Sequence, residues 1–149
     1  MNNIKSISII ILISAFLMNC DGKKQGNEEG HSEHETQSKN IEIELNQGEK
    51  WVVNEEMKPF LKQSEEILQS YNASNDSSHL ELADQLKAQN DQLISSCTMK
   101  GKSHDELHKW LHPHLQLVKK LQEAESKKEA EAVIQQLEDS YEIYHQYFQ

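Results

Sequence analysis

Six side chains of types that ligate transition metals are spaced so that they can act as a group: Met57, Cys97, Met99, His104, His108 and His145. Thioether and thiol are soft donors that favour Cu(I), and imidazole accepts Cu, Zn or Fe. His104, His108 and His112 recur at i, i+4 and i+8. On a helix these rings share one face, and the i, i+4 pair is the spacing by which two histidines hold one ion. Pro113 separates His112 from His114, and the kink it should impose turns either outward, so both rank below His108 as donors. Each residue also has an ordinary reading. Met57 fits a gap in a core, Cys97 a small buried hydrophobe, and the histidines a solvated helix face. His145 would then be a surface residue beside the stripe of Tyr141, Tyr144 and Phe148.

Helices must position these donors. Met57, Phe60, Leu61, Ile67, Leu68 and Tyr71 recur at the 3.6-residue period, with Asn54 as the expected cap and Pro59 tolerated close to the start. Leu82, Ala83, Leu86, Leu93, Ile94 and Cys97 form the stripe of a second helix, interrupted by Asn90. Gly101 falls in the following turn. Ser103 and Glu106 predict a capping box for a third helix, whose stripe is Leu107, Leu111, Leu115, Val118 and Leu121. Ser126 and Glu129 predict another, before Ala130, Val133, Ile134, Leu137, Tyr141, Tyr144 and Phe148. The expected fold is all-α, an up-and-down antiparallel four-helix bundle over residues 51–149. Short loops make successive helices antiparallel neighbours. The second turn therefore shares one end of the bundle with the start of helix one and the finish of helix four. Counting from the turns puts Met57, Cys97, His104, His108 and His145 within about two helical turns, each about 5.4 Å, of one another in height. His79 falls at the opposite end, as a surface or first-turn residue.

The remaining chain reads as targeting and tether. Residues 1–19 begin with Lys5 and carry an apolar run from Ile7 to Met18, too short for the about 20 residues that span a bilayer, and so a signal peptide. Leu17-Met18-Asn19-Cys20 resembles the lipobox of bacterial lipoproteins, which implies an acylated Cys20 inserted in a lipid bilayer. Residues 20–50 are polar and glycine-dotted, a tether in which His31 and His34 meet water. Ile41-Glu42-Ile43-Glu44-Leu45 alternates like a strand with nothing to pair with. With Trp51, Val52 and Val53 it should lie as an extended arm along the bundle. The implied location is the bacterial cell envelope, periplasmic or surface-exposed.

The formal charge of −10 becomes −11 once Lys5 is removed, and the chain has no arginine. That argues against nucleic acid, whose binding rests on phosphate neutralisation. With Cys20 acylated, Cys97 has no partner within the chain, which leaves intermolecular pairing, ligation or burial. No Ser-His-Asp order, phosphate-cradling glycine loop or distinct carboxylate pair suggests an enzyme.

Lys128-Glu129-Ala130, Gln136-Leu137 and Tyr144-His145-Gln146 resemble the closing helix of the cytochrome b562 family, small periplasmic four-helix haem proteins. In helix one the likeness rests on Met57, Phe60 and Ile67. The resemblance implies haem b with Met57 and His145 as axial ligands, and a membrane-anchored electron-transfer protein with a redox partner; such ligation raises the reduction potential. The family packs its haem with apolar side chains early in helix three, where this chain has His104 and His108. The alternative expectation is a copper- or zinc-binding lipoprotein using Cys97, Met99, His104 and His108, a metal buffer or chaperone with a metal-transfer partner. A second alternative is a helical adaptor that docks a partner protein through Trp51 and Trp110.

Overall fold

The computed structural model describes residues 42–74 and 78–149; Cys20, His31 and His34, with the signal peptide and most of the tether, lie outside the described residues. Among these described residues four helices follow in order: α1 (Lys58–Ala73), α2 (His79–Ser95), α3 (Lys102–Glu123) and α4 (Lys127–Tyr147). Each packs on the next, giving the expected all-α, up-and-down antiparallel four-helix bundle. The apolar stripes face inward: Leu61 and Leu68, then Leu82, Leu86 and Leu93, then Leu107, Leu111, Val118 and Leu121, then Ile134, Leu137, Tyr141 and Tyr144 are all buried. Ile94, counted into the second stripe from its spacing, is instead exposed. No described helix is long and apolar enough to cross a membrane.

The two predicted capping boxes fare differently. At α4, Ser126 Oγ accepts the Glu129 N–H at 3.2 Å, and Glu129 Oε2 accepts the Glu125 N–H at 3.0 Å. At α3 the box is absent. The helix opens one residue before Ser103, with Gly101 as its cap residue at φ 66° and ψ −152°. That conformation is essentially restricted to glycine, and it starts the helical hydrogen bonding early, with the His104 and Asp105 N–H groups donating to the Gly101 carbonyl. Glu106 is freed from capping and is buried elsewhere. A Cβ on Gly101 would meet nothing within 4 Å, so Gly101→Ala should cost only backbone strain, about 1–2 kcal/mol, measurable as a lowered urea midpoint at unchanged slope.

The chain is docked well before residue 51, where the sequence reading set the domain boundary. Gln47 and Gly48, both at positive φ, close a tight turn in which Asn46 and Glu49 exchange two backbone hydrogen bonds. The buried Glu106 accepts the Glu44 N–H through Oε2 at 2.9 Å, while Oε1 pairs with Lys109 Nζ at 2.8 Å. Lys109 Nζ also donates to the Glu42 carbonyl at 3.0 Å. The arm lies along the bundle as expected, and its Trp51–Val53 part bonds the chain's closing residues: the Trp51 N–H donates to the Tyr147 carbonyl and the Val53 N–H to that of Gln149, beside Phe148. Val53 and Phe148 are each 1 % exposed. Trp51 and Trp110 are both buried, and their indole N–H groups donate to the Glu44 and Ser140 carbonyls. Neither ring is presented as a docking anchor.

Candidate metal centre

The α2–α3 turn is held from below by a residue the sequence reading assigned to capping. Asn54 does not cap α1; Met57 occupies that position. The Asn54 side chain instead reaches across to the residues flanking Cys97. Its Nδ2 donates to the Ser96 carbonyl at 2.9 Å and its Oδ1 accepts the Thr98 N–H at 3.3 Å. A single amide thereby brackets the cysteine on both sides. Asn54→Ala should cost about 1–2 kcal/mol in lost hydrogen bonds. It should also speed alkylation of Cys97 several-fold in the native protein, read by mass spectrometry.

Cys97 is a free, half-buried thiol. It lines a cleft of about 340 Å³ together with His104, His108, His112 and the apolar side chains of Ile94, Leu107, Leu111 and Leu115. The rings of His104, His108 and His112 stand edge to face along α3, with centroids 4.3 Å and 4.7 Å apart. His108 touches both neighbours: its Nε2 is 3.0 Å from His104 Nε2, and its Nδ1 is 2.8 Å from His112 Nε2. Burial, and after it the neighbouring His104 and His112, push the His108 pKa below the ordinary histidine value, while Asp105 opposes the shift. The shift favours the neutral ring, the form that ligates metals. Among the described residues no three donors already surround one point; the contacts are pairwise. Met99 is half-buried against the core and does not line the cleft. Of the metal donors expected from sequence, the fold thus brings together Cys97, His104 and His108 and leaves Met99 apart.

Met57 and His145 are not brought together. Met57 has no exposed surface and lies in the core. His145 turns outward, 57 % exposed, with its Nε2 2.9 Å and 3.0 Å from the two carboxylate oxygens of Glu65. Asn72 of α1 likewise bonds Glu138 of α4. The two contacts are each seven residues apart on their helices, which fixes the antiparallel register of α1 and α4. Glu65 lies eight residues beyond Met57, about 12 Å of helical rise. Continued, that register sets Met57 level with a point past Gln149. That offset is close to the two turns the height count from the loops allowed, so what separates the pair is that Met57 is buried whereas His145 faces outward. A haem needs both ligands on one iron and an apolar slot between them. The space beside His145 is lined by Lys58, Lys62 and Glu65 as well as Leu61 and Tyr144. The residues present do not fit a haem held by this pair.

His114, expected to be turned outward by Pro113, is fully buried. Helix α3 continues through the proline, so the i+4 spacing from Trp110 persists and carries His114 to the core face. Its ring stacks on Trp110 at 4.8 Å and meets Tyr141 edge-on at 4.9 Å. Nδ1 lies 3.0 Å from Ser140 Oγ, while Nε2 has no hydrogen-bond partner. Burial pushes its pKa down to about 4. His79 opens α2 as its first residue, with Nε2 3.2 Å from the Ala124 carbonyl. Comparison of the chain with protein-family models, curated proteins and solved structures gives no match, so what the centre does is read from its own geometry.

Proposed function

We propose that this protein is a metal-binding four-helix bundle, tethered to the bacterial envelope through an acylated Cys20, that takes up Cu(I) or Zn(II) at Cys97, His104 and His108. The observation that carries the reading is the cleft between the end of α2 and the start of α3, where one thiol shares an apolar-walled space with two imidazoles whose Nε2 atoms are 3.0 Å apart. Two nitrogens on one tetrahedral zinc ion, each about 2.0–2.1 Å from it, stand about 3.3 Å apart. Opening the His104–His108 pair by a few tenths of an ångström accommodates an ion. Cys97 then supplies a thiolate as third ligand from the neighbouring turn. Two imidazoles and a thiolate suit copper or zinc, and an open fourth position would let the ion pass to another protein.

Residues 21–149 should withdraw Cu(I) from a chromophoric chelator with one ion per chain, and Co(II) used as a zinc probe should develop a thiolate-to-metal charge-transfer band. Failure to compete for either ion would remove the reading.

A further inference from the structure

Each histidine nitrogen in the α3 row has a different neighbour. His108 meets His104 through Nε2 and His112 through Nδ1, at 3.0 Å and 2.8 Å. The row therefore contains two pairs, each near the span of a single ion, and both need the same ring. A neutral imidazole has one lone pair for a metal, its other nitrogen keeping the proton. His108 can thus serve one pair or the other at a given moment. The two positions also differ in surroundings. All three rings line the cleft that Cys97 shares, but His104 and His108 are half-buried in it, whereas His112 stands exposed at its mouth.

We infer that His104–His108 and His108–His112 are two mutually exclusive positions for one transition-metal ion, an inner one backed by Cys97 and an outer one on the open face through which the ion arrives and leaves. This rests on the proposed metal-binding function and adds its route. An incoming ion with a labile shell first meets the exposed His112 and the Nδ1 of His108. Moving inward requires His108 to shift its proton from Nε2 to Nδ1, with water as carrier, and Cys97 to release its thiol proton to water, as the ion exchanges His112 for His104 and the Cys97 thiolate. A chelating partner reverses the sequence by ligand exchange at the outer pair, which leaves the thiol unexposed.

The test is rapid mixing of residues 21–149 with Zn(II) held by a chromophoric chelator, wild type beside His112→Ala and His104→Ala, with equilibrium competition on the same samples. Wild type should take one ion. His112→Ala should slow uptake and release by about tenfold alike, with affinity kept within about twofold; His104→Ala should weaken affinity at least tenfold. Two ions bound per chain would overturn mutual exclusion. A His112→Ala affinity loss as large as that of His104→Ala, or unchanged rates, would overturn the outer position. A wild-type protein that takes no zinc and no Cu(I) would instead remove the metal-binding function itself.

Discussion

Lowering the pH from 7 to 4 should remove about 3 kcal/mol of folding stability through His114 alone, at about 1.4 kcal/mol per unit of pKa displacement. The ring is fully buried between Trp110 and Tyr141, and only one of its nitrogens has a partner. Its pKa falls from 6.5 to about 4 in the folded protein. The unfolded chain therefore binds the proton more readily, and folding stability rises with pH wherever that is so. The contribution is complete above pH 6.5, drains away between 6.5 and 4, and is gone below. His114→Phe keeps an aromatic ring against Trp110 and cannot take the proton. Urea unfolding of both proteins at pH 7 and pH 4 isolates the effect, because ordinary carboxylate titration is common to the two. The loss on acidification should be about 3 kcal/mol smaller in the variant; equal losses would show that the ring is not held neutral in the core.

The double substitution Cys97→Ser, His104→Ala should weaken Cu(I) binding at least a hundredfold, about 2.7 kcal/mol. It removes the one soft donor and one of the two close imidazoles, leaving His108 with the solvent-facing His112. Both positions are half-buried at the rim of the bundle rather than in its core, so the fold should survive, with helical circular dichroism unchanged. Chelator competition reads the affinity. By contrast, Met57→Ala should lower stability by about 2–5 kcal/mol as a core truncation, with the affinity of the folded protein unaltered. Loss of affinity in Met57→Ala, with Cys97→Ser/His104→Ala silent, would return the ligands to the Met57 and His145 pair.

The helices were legible in the sequence because their signals are local: 3.6-residue stripes, and a Ser126–Glu129 box that needs only its own turn. The row of His104, His108 and His112 was legible for the same reason. What escaped depends on partners far along the chain. Glu106 looks like a capping residue until Glu44, sixty-two positions earlier, donates to it. Asn54 reads as a helix cap, yet its amide is committed to the turn around Cys97, forty-odd residues away. His114 was misplaced because a proline suggests a bend, while the helix absorbs it and keeps its phase. Met57 and His145 were placed within about two helical turns of height by counting from loops. That count gives height but not facing, and His145 faces outward to Glu65.

The row of imidazoles belongs to one helix, whereas the thiol hangs from a turn whose shape depends on a single glycine and on one amide reaching over from the segment before α1. On the proposed metal-binding function, capture and discrimination are consequently separable by inheritance. A drifting turn would change which element the protein prefers, soft copper or borderline zinc, long before it changed whether any ion is held. Homologous proteins that keep the helix and vary the turn would then form a series graded in selectivity on a constant scaffold.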